Sequence, residues 1–195
     1  MPDMTLRRVI LLADRSDSSI DSIATTLESE LADVVEFVSI ENEESNLAIA
    51  IGGDGTLIRH GRALAEKNIP LVGVNSGRLG FLARFDVNSL IKNRKEIFTK
   101  SPAILKAMLL DVSVDNQPPT ISMNEAMIAA GAPFRLLELG LTIDGVPAPT
   151  LRGDGVIIAT PTGSTAHNAS VGGPIVDPST SAFILTPIAA HSLAV

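Results

Sequence analysis

Over the first 98 residues, short apolar runs alternate with amphipathic segments, and this alternation narrows the fold more than any other property of the chain. The runs are VILLA (Val9 to Ala13), VVEFV, LAIAI (Leu47 to Ile51) and IPLVGV. Between the first two, Ile20, Ile23, Leu27 and Leu31 recur at three- to four-residue spacing, which predicts a helix from about Ser18 to Leu31. A second helix is expected after Gly55, and Asn88 to Thr99 reads as a last helix leading out of this half. Strand and helix in this alternation predict βαβ units on a parallel, Rossmann-like sheet.

From Ser101 the pattern changes to strand-like pieces separated by turn signals: ILKAMLLDVSV, NEAMIAAG, RLLELGLTIDG and GVIIAT. Asp144-Gly145 is the strongest hairpin signal, and Gln117-Pro118-Pro119 reads as a hairpin loop. The expected organisation is an α/β domain over residues 1–98 followed by a β-rich domain of β-sandwich type over 99–195. The last 18 residues, PSTSAFILTPIAAHSLAV, contain no Asp, Glu, Lys or Arg. So apolar a tail is expected to continue into further sequence, leaving the β-rich domain incomplete.

Charge and composition remove several functional classes. Lys and Arg total 15 against 22 Asp and Glu, a net charge of -7, the wrong sign for a protein that grips a polyanion by its phosphates. Aromatic residues make up 3%, with no Trp or Tyr, so a base-stacking platform is not expected either. Nucleic acid is therefore not the expected partner. Without cysteine there is no disulfide or thiolate-metal site. Val9 to Leu12 is too short for a signal-peptide core, and no run of about eighteen apolar residues occurs, so the expectation is a cytoplasmic protein with no membrane partner.

The chemistry concentrates where LAIAI meets Gly52-Gly53-Asp54-Gly55. Glycines after a strand let the backbone turn sharply and approach a ligand, and they direct amides toward the next helix's N-terminus, a geometry that suits phosphate. An acid among those glycines would repel phosphates unless it held Mg²⁺ or took a proton from an attacking hydroxyl. The structural alternative is that Asp54 only caps the following helix. Neither G-x-x-x-x-G-K-[ST] nor a strand-linked G-x-G-x-x-G is present to decide between them.

Three more glycine-rich polar clusters follow apolar runs: LVGVNSGRLGFLARF (Leu71 to Phe85), SMNEAMIAAGAP (Ser122 to Pro133) and RGDGVIIATPTGSTAHNASVGGPIV (Arg152 to Val176). Together with GGDGT they resemble the NAD kinase family, in order and at family-like spacing from Leu47 to Leu193. GGDGT alone is shared with lipid kinases and, in variant form, with phosphofructokinases. The N-x-G-x-L-G-F-L stretch at Asn75 to Leu82, with NE and TPTGSTA, is far more specific.

The resemblance implies transfer of a phosphoryl group from ATP, or in some members from polyphosphate, to the 2'-hydroxyl of the adenosine ribose of NAD, giving NADP. It assigns Asp54 as the catalytic acid of GGDG, proposed to activate that hydroxyl. Family contacts to NAD carry over to Gly55, Arg59 and the pair Asn124 and Glu125, whose amide and carboxylate suit a ribose diol. Arg152 and Asp154 are implied as substrate contacts that reach across a subunit interface, with an exposed ion pair of little worth as the structural alternative for Arg152. The loop around Gly163 adds Thr165, Ala166, His167, Asn168, Ala169 and Ser170, a polar surface suited to an adenine and its ribose. Thr160 to Ser164 also fits a self-capped turn.

Family members commonly carry Tyr after GSTA, where this chain has His167. His60 and His191 read as a helix-surface and a fold residue, and no metal-ligand spacing occurs, so any metal is Mg²⁺ arriving with the nucleotide. A homo-oligomer is implied by the family alone. Two other readings stand beside the kinase: a lipid or sugar kinase of the wider GGDGT group, and a fragment that binds NAD or NADP without turnover.

Overall fold

The computed structural model describes residues 6–42, 44–77, 80–100, 102–133 and 136–193. The chain forms two compact units, Met1–Ile104 and Leu105–Val195, dividing after residue 104 rather than after residue 98. The last helix of the first unit ends at Thr99, and 102–109 carry no regular structure before the next strand.

In the first unit, strands β1 (Arg7–Leu12), β2 (Val35–Val38), β3 (Leu47–Ile51) and β4 (Leu71–Val74) form one parallel sheet in the order β2-β1-β3-β4. β3 is interior and every one of its residues is buried, which is why it reads as an unbroken apolar run. Its side chains divide by parity. Leu47, Ile49 and Ile51 pack with Ala24, Leu27 and Leu31 of the α1 region (helix α1, Ser18–Glu30) and with Leu90, Ile97 and Phe98. Ala48 and Ala50 pack on the other face with Leu57 and Leu64 of α2 (Asp54–Ala65). Helices therefore cover both faces of a parallel sheet, the arrangement the alternation predicts.

The segment expected as one helix over Asn88 to Thr99 is two, α3 (Val87–Lys92) and α4 (Arg94–Thr99). Asp86 and Ser89 form a capping box that starts α3. At its end, Asn93 Nδ2 donates to the Ser89 carbonyl at 2.8 Å and Arg94 to the Ile91 carbonyl at 3.1 Å. The Ile91 carbonyl is thus taken by a side chain, while the Ser89 carbonyl also accepts the Asn93 N–H at 3.1 Å as in a continuous helix.

The second unit is β-rich and antiparallel in all of its pairings between described strands. β7 (Glu125–Ala129), β10 (Gly155–Ala159) and β11 (Ile184–Ile188) form a sheet in the order β11-β10-β7. β8 (Leu137–Ile143), β9 (Val146–Gly153) and β12 (Ser192–Leu193) form another, and β5 (Leu110–Val112) pairs with β6 (Thr120–Ser122) across the Gln117-Pro118-Pro119 loop. Only Leu110–Val112 of ILKAMLLDVSV is strand. Asp144 and Gly145 turn β8 into β9 with φ of 49° and 79°, the two positive angles a type I′ hairpin needs. After β10 come a 3-10 turn (Thr162–Thr165) and the short helix α5 (His167–Ser170). No described helix is long and apolar enough to cross a membrane.

Candidate active site

Parallel neighbours deliver the loops at their carboxyl ends to one edge of the sheet, the edge where open α/β sheets bind ligands. β3 and β4 are such neighbours, so the Gly-Gly-Asp-Gly loop and the segment after Val74 meet. Asp54 is the first residue of α2, and the N-cap position is held by Gly53, which has no side chain to offer. The Asp54 carboxylate does not cap its own helix. Oδ2 accepts the Phe81 N–H at 2.8 Å and Oδ1 the Leu82 N–H at 3.0 Å. Capping, the structural alternative for Asp54, is not what the side chain does. An ionised carboxylate has about four acceptor directions, so two remain for an incoming hydroxyl.

Gly55 is exposed beside it, and Arg59 is exposed one turn further along α2, its guanidinium 3.4 Å from His60 Nε2. Burial, and then the charge of Arg59, pushes the His60 imidazole below its ordinary pKa, so at neutral pH Arg59 faces an uncharged ring.

In the second unit, strand register explains why two distant motifs form one structure. Ala159 of β10 is paired with Glu125 of β7, so Thr160 emerges beside Asn124. The Thr160 N–H donates to the Asn124 carbonyl at 2.8 Å, its hydroxyl donates to the Met123 carbonyl at 2.5 Å, and the same oxygen accepts the Gly163 N–H at 2.9 Å. A Cβ at Gly163 would lie 2.1 Å from the Asn124 carbonyl oxygen, so only glycine permits this approach. Glu125 Oε2 is buried with no hydrogen-bond partner. Burial raises the pKa of this carboxyl, with His167 opposing from nearby. A buried orphan acceptor calls for a donor, and a hydroxyl of a bound diol would supply one.

The remaining expected residues separate into three groups. Thr165, Ala166, Ala169, His167 and Ser170 line the turn and α5, the first three half-buried and the last two exposed. Asn168 is fully buried: its amide nitrogen donates to the carbonyls of Ser164 and Pro174 at 3.2 and 2.9 Å, and its Oδ1 accepts from the Thr186 hydroxyl at 2.7 Å. Both of its donors are committed to the fold. Arg152 and Asp154 stand at the opposite end of β10 from Thr160, separated from it by about 20 Å of extended chain. Arg152 makes an exposed ion pair with Glu138 at 2.9 Å, across the β8–β9 register. The chain therefore brings Asn124, Glu125 and the TPTGST loop together, and it does not bring Arg152 and Asp154 to them.

Gly80, Phe81 and Leu82 have roles that sequence reading did not assign, while Thr160 and Gly163 form the self-capped turn offered there as the alternative. Backbone amides and carbonyls have no signature of their own in a sequence, but the glycines do, because each marks a close approach. Arg78 and Leu79 of the N-x-G-x-L-G-F-L stretch lie outside the described residues.

Residues 10–101 match the family model of the ATP-NAD kinase N-terminal domain, and residues 123–195 that of the ATP-NAD kinase C-terminal domain. The chain belongs to the NAD kinase family. Among NAD kinases, it is 38% identical over 156 residues to that of Treponema denticola, covering 78% of this chain and 55% of that protein. With the NAD kinase of Methanothermobacter thermautotrophicus it shares 36% over 154 residues, or 79% of this chain and 54% of that protein. The chain thus spans about half the length of the curated NAD kinases it matches. Its fold is similar to that of yeast NADH kinase complexed with NADH, at TM-score 0.71 and 25% identity, covering 98% of this chain and 65% of that one. It is also similar to an NAD kinase from Archaeoglobus fulgidus in complex with ATP, at TM-score 0.70 and 27% identity, covering 97% and 74%.

Proposed function

We propose that the chain is an NAD kinase that transfers the terminal phosphoryl group of ATP, or of polyphosphate, to the 2'-hydroxyl of the adenosine ribose of NAD. The observation that carries this reading is the Asp54 carboxylate, which is free of any capping role and held by two amides beside the glycine loop. In the reaction, Asp54 accepts the proton of the 2'-hydroxyl as that oxygen bonds to the terminal phosphorus. The bond from phosphorus to its bridging oxygen breaks, and ADP departs with the electron pair. Positioned proton transfer of this kind is worth about 10²- to 10⁴-fold in rate. Asn124 and Glu125 hold ribose hydroxyls, the orphan Oε2 accepting one of them, while Thr165 to Ser170 face the nucleotide chiefly through backbone groups, His167 and Ser170. Gly55 leaves the approach to Asp54 open, and Arg59 supplies positive charge on the same helix. Arg152 and Asp154 remain substrate contacts in this reading if a second copy of the chain supplies them.

Among the described residues no group of three or more His, Cys, Asp or Glu side chains can hold a metal ion. The cation of this reading is Mg²⁺ arriving with the nucleotide, since such an ion keeps its waters and binds through phosphates and one or two carboxylates. When bound it offsets charge on the transferring phosphates. Homo-oligomerisation and a cytoplasmic compartment belong to the same proposal as expectations from the sequence. The test is mass-spectrometric detection of NADP after mixing the purified chain with NAD, ATP and Mg²⁺, beside diacylglycerol and sugar acceptors. NADP alone supports the reading, phosphorylated lipid or sugar favours the wider GGDGT group, and NAD binding without product favours a non-catalytic module.

A further inference from the structure

We propose that Gly80 is a positioning residue for the phosphoryl-transfer reaction, acting through Asp54; this rests on the kinase reading above. A Cβ built on Gly80 would lie 2.2 Å from Asp54 Oδ1, 2.6 Å from Cγ and 2.7 Å from Oδ2. Its three nearest neighbours are thus the three atoms of the carboxylate. The next two residues, Phe81 and Leu82, donate the amides that hold those same oxygens at 2.8 and 3.0 Å. Gly80 to Leu82 therefore form a clasp: two donors fix the carboxylate's direction, and the missing side chain at Gly80 is the space the carboxylate occupies. Asp54 is itself anchored in the first turn of α2, against a sheet whose β3 is buried throughout, so its backbone cannot follow a displaced clasp. Its side chain can. A methyl at Gly80 meets the far end of a flexible side chain rather than backbone, so the fold tolerates it by turning the carboxylate away from both amides. Activity, not folding, bears the consequence, because reacting groups displaced by about 1 Å lose on the order of 10²-fold in rate.

Gly77 in the same segment is the control, since a Cβ there meets nothing within 4 Å. In the ligand-free chain, amide hydrogen exchange followed by NMR reads the clasp directly. Gly80→Ala and Asp54→Ala should each speed exchange at Phe81 and Leu82 at least about tenfold, while Gly77→Ala leaves both unchanged. With substrates, Gly80→Ala should lower kcat by tenfold or more and leave KM for NAD within about twofold, a split that general loosening of the loop would not give. Unchanged exchange in Gly80→Ala, an equal rise in Gly77→Ala, or a raised KM with kcat retained would overturn the proposal. If the wild-type chain makes no NADP, the kinase reading fails, and the exchange result still decides whether the clasp exists.

Discussion

Among the described residues, Glu125 is the one with a buried side-chain oxygen left without a partner. Its Oε2 is buried without a partner, and burial lifts its pKa above the usual carboxylate value of 4.5. A carboxyl with a raised folded pKa holds its proton more tightly when folded. Its ionisation therefore costs stability as the pH rises through and above that window, and costs nothing well below 4.5. Glu125→Gln should melt at a higher temperature than the wild type at pH 7, and the difference should close as the pH is lowered toward 4; calorimetry across that range checks it. The same substitution turns a charge-assisted hydrogen bond to a ribose hydroxyl into a neutral one, so NAD affinity by isothermal titration should fall about five- to tenfold. A stability gain paired with an affinity loss is the expected mark of a side chain placed for a ligand.

At the scale of elements, legibility followed the kind of signal each segment carries. LAIAI is a strand over the same five residues read from the sequence, because an interior parallel strand is apolar on both faces and a glycine pair ends it. Asp144-Gly145 was equally legible, since few other residue pairs accept two positive φ angles. The break between α3 and α4 was not, because it falls at Asn93, whose φ of -97° and ψ of 9° leave the helical region with no Gly or Pro to announce it. Asp54 stands out in the sequence as an acid among glycines, but the amides that hold it lie 27 and 28 residues away and belong to the backbone, which every residue shares. Asn168 is a polar residue in a polar motif whose side chain is hydrogen-bonded within the fold, which its residue type alone does not reveal. Asn168→Ala should lower stability by about 2 kcal/mol, since it strips buried partners of their hydrogen bonds, while NAD affinity of the folded chain changes by less than about twofold. Denaturant unfolding and titration calorimetry separate the two effects.

At the scale of the whole molecule, the two units differ in how much core they own. Among the described residues, the first has buried apolar clusters of thirteen and seven residues on the two faces of its sheet. Among the same residues the second has a cluster of three, Ile157, Ala159 and Ile184, and leaves Met127, Ile128, Phe183 and Leu185 exposed on or beside its β7 and β11 strands. Local stability follows buried apolar contact, so amides of β1 and β3 should exchange at least about tenfold more slowly than those of β7 and β8. Hydrogen-exchange mass spectrometry of the ligand-free chain reads this directly. The Asp54 clasp belongs to the better-packed unit, so the proposed proton acceptor stands on the firmer scaffold. The most direct test of the account is therefore NADP formation by the chain and by Asp54→Asn, with NAD affinity measured on both. The account predicts NADP from the wild type, a kcat at least about 10²-fold lower in Asp54→Asn, and NAD binding within about threefold. NADP formation at the wild-type rate by Asp54→Asn, or none by the wild type, would contradict it.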